Sequence, residues 1–481
     1  MNNQSGNKLR IRPATLLPAL LLAGCAAIPP EAPAPKLAQP QQADFATGTG
    51  TGNSSGQWPA SSWWEQFHDS QLNTLVQQAL SNSPSMTVAA ARLQAARAGA
   101  QSVAAAAGVS LDAKGSLTRE RFPDYGIAPP PIAGHYFYDG ELALDFSWDV
   151  DWWGRNRAAL QSSLGQIRAS QAEQAGSAAT LATAVASAYY QWQALNARIT
   201  LQQSMEASRH HLVELEGSLV KAGLSAGQNL APLAADAAAP RQTIAQLDSQ
   251  RQQALFQLRS LVNSGKDFPA LQPAPLPTVS GGLPPEVDLN LLARRADIAA
   301  ARDRVESTIQ EVKSDRAAFY PDFSLSAFVG LSSLEMGQML HYGSRTLGVT
   351  PAFSLPVFNA PRLHAALAGG QADAAEAAGE YDQTVQNAVA EVNDAALRLQ
   401  GVDAEKAALD AQIDARQRNL DNAGRLRQAG LSDGREVERR KLALLALQEQ
   451  EITREQRAVL ADVDLIKALG GGYTAPQTAS K

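Results

Sequence analysis

The sequence predicts an internally duplicated α+β membrane protein, each repeat carrying two β-strands and one very long helical hairpin. Three observations predict it. A seven-residue stretch occurs twice, KAGLSAG at 221–227 and QAGLSDG at 428–434, 207 positions apart. Four segments alternate strictly between apolar and polar residues, the period of a half-wet strand. Two Ala- and Gln-rich stretches, 155–222 and 362–429, run without a single proline, which suits long continuous helices.

The amino terminus sets the compartment. Lys8, Arg10 and Arg12 precede an apolar run, ATLLPALLLA, that ends at Gly24-Cys25. This is the pattern of a secretory signal peptide (1–24), and the run is too short to span a bilayer as a helix. Cys25 is the only cysteine of the 481 residues, so no intramolecular disulfide is available. The stretch Leu22-Ala23-Gly24-Cys25 resembles a bacterial lipobox, which implies cleavage before Cys25 and lipidation of its thiol; Ala26 in the next position implies sorting to the outer membrane. Residues 25–60 are rich in Pro, Ala, Gln, Gly, Ser and Thr, the composition of an extended tether rather than of a core. The chain has 41 Lys and Arg against 47 Asp and Glu, so it offers no broad basic field for nucleic acid.

The 207-residue shift is not confined to the heptapeptide. It also aligns FSWDVDWWGRNRAAL (from Phe146) with FSLPVFNAPRLHAAL (from Phe353), and two matches at one offset imply two copies of one unit. The repeats are placed at 61–285 and 286–473, with a tail at 474–481.

Each repeat opens with a helical stretch, 70–107 and then 288–319. Strands follow at about 109–120 and 136–151 in the first repeat, and about 322–332 and 345–357 in the second. In the first, Val109, Leu111, Ala113 and Leu117 alternate with Ser110, Asp112, Lys114, Ser116 and Thr118; the later apolar series Leu347, Val349, Phe353, Leu355 and Val357 keeps the same period. Such strands have the length that crosses a bilayer when tilted, and Tyr136, Tyr138, Trp148, Trp152 and Trp153 fall near their ends. Taken alone, they equally suit a soluble sandwich with one wet face. The mature chain has no stretch apolar enough for a membrane helix, so a membrane form must be a barrel, and four strands cannot close one. Several chains must contribute.

The long stretches after each strand pair make helices of about 100 Å, each followed by a return helix, 229–263 and 435–469. Leu445, Ile452, Val459 and Ile466 recur every seven residues, as in a coiled-coil seam. Pro232 and Pro240 are expected to disturb the start of the first return helix. The two GLS stretches fall at the reversals, where Gly223 and Gly430 supply the backbone freedom a reversal needs. Asp149 and Asp151 stand at the strand-to-helix junction, where negative charge suits a helix N-terminus.

WWEQFHDSQLNTLVQQAL (from Trp63), FSWDVDWWGRNR, LLARRADIAAARDRV (from Leu291), FYPDFSLSAFVGL (from Phe319) and LIKALGGGY (from Leu465) together resemble the outer-membrane efflux factors of the TolC/OprM/NodT type, above all their lipoprotein branch. The similarity runs from about 61 to 473. It implies a homotrimer in which twelve strands close one outer-membrane β-barrel and twelve helices form a periplasmic tube. It also implies a passive exit duct for small toxic compounds, partnered by a periplasmic adaptor and by an inner-membrane transporter of RND or MFS type. By the resemblance Gly223, Leu224 and Ser225 with Gly430, Leu431 and Ser432 carry the adaptor contact. The segment REVERRK (435–441) matches the region that closes the periplasmic end in relatives, but carries charges where they have more aliphatic residues. Arg435, Glu438 and Arg439 are therefore candidates for a charged gate; Glu436 and Arg440 at i, i+4 equally suit a solvated helix-surface pair. The second copy, richer in charge, is expected to gate, the first mainly to dock.

No catalytic, metal or cofactor motif appears. His210 and His211 are neighbours on a helix and point about 100° apart, which suits a surface or interhelical role. The alternative to a duct is a trimeric envelope scaffold or receptor, with the 121–135 loop as its ligand surface.

Overall fold

The computed structural model describes residues 56–279, 282–284, 287–356 and 359–475, with 29–30, 33 and 35–37. The signal peptide, Cys25, most of the tether, Val357 and most of the tail lie outside these. In chain order the elements are α1 (Ser70–Asn82), α2 (Pro84–Ala106), β1 (Val109–Arg121), β2 (Tyr136–Val150), α3 (Arg155–Lys221), α4 (Leu230–Val262), α5 (Val287–Arg294), α6 (Ala296–Ala317), β3 (Asp322–Ser333), β4 (Arg345–Ser354), α7 (Ala360–Gln428) and α8 (Gly434–Ala468). Every predicted strand and long helix is present. Each of the two opening helical stretches is broken once, at Ser83-Pro84 and at Arg295. Pro84 occupies the first helical position, where its missing N–H costs nothing.

The chain forms two compact units, each drawing on both repeats. Of the described residues, the first takes Leu93–Ala169 and Ala301–Tyr381, and the second takes those within 56–92, 170–300 and 382–475.

The first unit contains one four-stranded antiparallel sheet in the order β1-β2-β3-β4. The central ladder joins the repeats, with Leu144 opposite Val329 and Trp148 opposite Leu325. Among the described residues, β1 and β4 each pair on one side only. One face is apolar throughout its middle: Leu111, Phe146, Ala327 and Val349 form one row across the four strands. This face is bare, with Leu111 66%, Leu347 78% and Phe353 60% exposed. No second layer among the described residues covers it, unlike the sandwich alternative; an apolar surface this large requires lipid or protein against it. At the strand-to-helix junction Asp151 caps α3, its Oδ1 and Oδ2 accepting from the backbone N–H groups of Asn156 (3.1 Å) and Arg157 (2.9 Å), as the charge argument anticipates.

The second unit has a conventional core. Trp63 and Trp64, Leu72, Leu75 and Val76 of α1, Val185, Tyr189 and Tyr190 of α3, Leu258 of α4, and Val459, Val463 and Ile466 of α8 are all buried together. Asp69 organises its polar edge: one carboxylate oxygen caps α1 by accepting from Gln71 N (2.9 Å), the other accepts from the Tyr189 hydroxyl (2.7 Å). Burial, then the Asp69 carboxylate, pushes the Tyr189 hydroxyl well above its ordinary value, so it stays a donor.

LLARRADI and LIKALGGGY meet in this unit. The Arg295 guanidinium, almost fully buried, donates to the carbonyl of Ala468 (2.9 Å) and pairs with Asp297 (2.6 Å) and Glu391 (2.8 Å). Gly470, at φ +99°, lies so close that an added Cβ would stand 1.8 Å from the Arg294 carbonyl oxygen. No other residue fits there without moving the backbone.

The first return helix departs from expectation. α4 runs unbroken through Pro232, in its first turn, and Pro240, which is buried in its interior. Pro240 leaves the Asp236 carbonyl without its i+4 donor, and Arg209 of α3 supplies one instead, Nη1 to O at 2.7 Å. A tertiary donor cancels a local penalty that sequence reasoning counts in full.

Candidate functional site: the two hairpin tips

Both long helices end in the same backbone motif. Gly223 and Gly430 have φ +73°, the left-handed conformation that ends a helix at little cost only in glycine. In the first tip Gly223 N donates to Val220 O (3.0 Å) and Leu224 N to Leu219 O (2.8 Å). In the second, Gly430 N donates to Arg427 O (3.0 Å) and Leu431 N to Leu426 O (2.9 Å). These paired bonds satisfy the terminal carbonyls of α3 and α7. The residue after the glycine usually packs back on its own helix in this motif. Here it does not: Leu224 and Leu431 are each 75% exposed. The six predicted tip residues thus form two projecting apolar points, each fixed by a rigid turn.

The serines diverge. The Ser225 hydroxyl donates to Glu216 Oε1, nine residues back on α3 and buried. Ser432 donates weakly to the Asp433 carbonyl (3.4 Å).

The three gate candidates do not share one environment. Asp433 caps α8, accepting from the N–H groups of Arg435 (2.8 Å) and Glu436 (3.3 Å). Arg435 then reaches across to the first tip: Nη1 lies 2.6 Å from Glu216 Oε2, while Nη2 holds Asp433 at 2.6 Å. The Ser225 hydroxyl and the Arg435 guanidinium hold the Glu216 carboxyl below its ordinary range, and Arg435 does the same for Asp433. Glu438 is buried and lies 2.9 Å from Nδ1 of His211 on α3, with its second oxygen unpartnered. His211 is thus interhelical. Arg439 is exposed and lies 4.0 Å from Glu436, which also binds Arg440 at 2.6 Å, the i, i+4 pair foreseen as the alternative. Within the protomer Arg435 and Glu438 tie the second hairpin to the first, while Arg439 projects to solvent. Sequence reasoning missed Glu216, one acidic residue among many on a helix; only the fold places it opposite Arg435. Cys25 lies outside the described residues.

The strands add a charge pattern. Asp112, Glu120, Asp139, Glu141, Asp145 and Asp149 share the polar face of β1 and β2 with one lysine, Lys114, which pairs with Asp145 at 2.8 Å.

The family model for outer membrane efflux proteins matches residues 75–264 and 289–471. The chain belongs to the outer membrane efflux protein family. Its place is therefore the outer membrane, and this family's proteins are transport ducts rather than enzymes. Among relatives, the multidrug resistance outer membrane protein MdtQ of Escherichia coli O157:H7 is 32% identical over 464 residues, covering 94% of this chain and 96% of that protein. Among solved structures, the outer membrane protein VceC of Vibrio cholerae is 30% identical, with a TM-score of 0.77 over 86% of this chain and all of its own. The outer-membrane channel OprN, at 26% identity, superposes with a TM-score of 0.80 over 93% of this chain and 99% of that one.

Proposed function

We propose that this chain is one third of a trimeric exit duct of a tripartite efflux pump, releasing small toxic compounds passively across the outer membrane. The observation that carries the proposal is the pair of projecting leucine tips, Leu224 and Leu431, three-quarters exposed on glycine turns. Such points suit the grooves of a periplasmic adaptor, itself joined to an inner-membrane transporter of RND or MFS type. The two free sheet edges suit closure with two further copies into a twelve-stranded barrel, and four long helices per chain suit a twelve-helix tube. With the acidic face turned inward, the pore prefers cationic and zwitterionic solutes. Cys25 is the lipid anchor, and the tether lets it reach the membrane.

In the resting state the Arg435–Glu216 pair is a latch between the hairpins of the two repeats, and adaptor engagement releases it. Arg439 adds like charge near the threefold axis, and Glu438 positions α8 through His211. The test is ion conductance through the purified trimer in planar bilayers, with and without Arg435→Ala. A low resting conductance that rises several-fold in the variant supports the duct and its latch. A trimer that conducts nothing in either form, and does not co-purify with an adaptor, favours the scaffold reading instead.

A further inference from the structure

The apolar face of the sheet has no acidic residue on any strand, and its only charges are three arginines gathered at one end. The registers place them: Arg121 opposite Tyr136 and Arg119 opposite Tyr138, and Arg345 opposite Leu331. All three lie where the strand pairs turn over, at the end of the sheet remote from α3 and α7, beyond an apolar span from Val109 to Leu117 of about 27 Å along the strand. At the tilt of about 40° that barrel strands adopt, this span rises about 20 Å, most of the roughly 25 Å apolar band of an outer-membrane barrel. The arginines therefore sit at the level of the outer-leaflet headgroups, on the lipid side.

Their surroundings are built for an anion. The Arg119 guanidinium stands 5.5 Å from both the Tyr136 and Tyr138 ring centres and has no carboxylate partner among the described residues. Arg121, two positions on and so on the same face, spends one nitrogen on Asp124 (2.9 Å) and keeps the others free. Arg345 is held over Tyr342 by Nε donating to the Tyr342 carbonyl (3.1 Å), with no acid against it. All three are exposed. Arg119 and Arg121 stand about 7 Å apart along β1 on one face, where like charges repel unless an anion lies between them, and guanidinium groups bind phosphate bidentately. Acidic groups are numerous in the same strands but confined to the opposite face, so this is segregation by face and not general surface charge.

We propose that Arg119, Arg121 and Arg345 form a binding site for the phosphate groups of an outer-leaflet glycolipid of the lipid A type, with the Tyr136 and Tyr138 hydroxyls as further donors. The site rests on the trimeric barrel proposed above. There the free edge of β4 pairs with the free edge of β1 of the next copy, which brings Arg345 of one copy beside Arg119 and Arg121 of its neighbour. Each of the three junctions then holds one lipid, clamping two copies together.

The experiment is native mass spectrometry of the full-length detergent-purified protein titrated with diphosphoryl lipid A, with dephosphorylated lipid A, and with inorganic phosphate. Up to three diphosphoryl lipids per trimer are expected. Arg119→Gln and Arg345→Gln should each weaken binding roughly tenfold, the loss of one charged hydrogen-bonding group. Lys114→Gln, on the opposite face, should leave it unchanged. Equal affinity of the arginine variants, or equal binding of the dephosphorylated lipid, in a confirmed trimer overturns the lipid site alone. Competition by inorganic phosphate at matching concentration also overturns it, by showing a site for free anion. A wild-type protein of monomeric mass overturns the barrel reading itself. In that case Arg345→Gln no longer weakens binding while Arg119→Gln still does, so the two failures are distinguishable.

Discussion

The two hairpin tips have the same backbone and different chemistry. Gly223 and Gly430 share one φ, the paired terminal hydrogen bonds agree within about 0.1 Å, and the two leucines are equally exposed. Beyond that point they part. The first tip passes through a short 3-10 turn, Gly227–Asn229, into α4 with no side-chain cap. The second enters α8 directly, capped by Asp433, and sends Arg435 to the helix behind the first tip. On the proposed reading, the repeats keep alike the part that meets a partner twice and differ in the part that acts once: the latch proposed above needs Arg435 on one hairpin and Glu216 on the other, which identical copies would not supply.

The largest effect should come from breaking what the tips share. Leu224→Asp with Leu431→Asp should reduce adaptor co-purification at least about a hundredfold, since two apolar anchors are lost and two carboxylates desolvated. Each single change should do less, and by similar amounts. A strong effect at Leu431 with none at Leu224 would show that the tips are not equivalent docking points. Next in size is the part they do not share. Arg435→Ala should raise resting conductance several-fold, whereas Gln228→Ala, at the matching position of the first copy, should leave it unchanged. Acid should act on the same contact. Glu216 and Asp433 have folded-state pKa values below their ordinary 4.5 and 3.8, so their stabilisation is complete above those values and is lost as pH falls through the depressed ones. Conductance measured from pH 7 downward should stay flat to about pH 4.5 and rise only below it, and the Arg435→Ala variant should lack that rise.

Much of this was legible in the residues. Strict period-two alternation located all four strands to within about three residues, because each strand has one apolar and one polar face and the pattern records it directly. Absence of proline located α3 and α7. The GLS heptapeptide located both reversals, since a glycine at positive φ is a local requirement. Long-range pairings were not legible. Nothing near Glu216 in the sequence marks it apart from Glu214, and Arg435 and Glu438 looked like members of one charged run. The packing of α8 against α3 brings Arg435 to Glu216 and Glu438 to His211, while Arg439, only about 40° from Arg435 around the helix, goes to solvent. Pro240 failed for a related reason: its penalty is local, but the Arg209 donor that offsets it comes from another helix.

A buried acid in α8 gives a smaller effect, and one that leaves the tips alone. Burial, then the nearby Asp403, pushes Asp462 up to about 6, so the folded state binds a proton there that the unfolded chain has released above its ordinary 3.8. Folding stability therefore falls as pH rises between those values and is lowest above pH 6. Asp462→Asn should remove that slope and raise stability at pH 7 by at most about 3 kcal/mol, with little change at pH 4. Thermal melts at the two pH values check it; adaptor binding, with both tips intact, should not move.

The smallest predicted effects sharpen the comparison furthest. Ala at position 223 or 430 has open space for its Cβ and pays only for the left-handed backbone, about 1 kcal/mol at either tip. Equal losses in the melts would confirm that the two turns are physically one motif. The caps should then differ. Asp433→Ala removes the acceptor of two backbone N–H groups and one arm of the Arg435 contact, so it should cost about 1 kcal/mol and also raise conductance. Ala226→Asp transplants the cap to the first tip, where no arginine follows at the matching position. It should stabilise by a few tenths of a kcal/mol at most, because a 3-10 turn separates residue 226 from α4, and conductance should not change. If the transplanted cap did lower conductance, capping alone would suffice to hold a hairpin shut, and the Arg435–Glu216 contact would be a consequence of closure and not its cause.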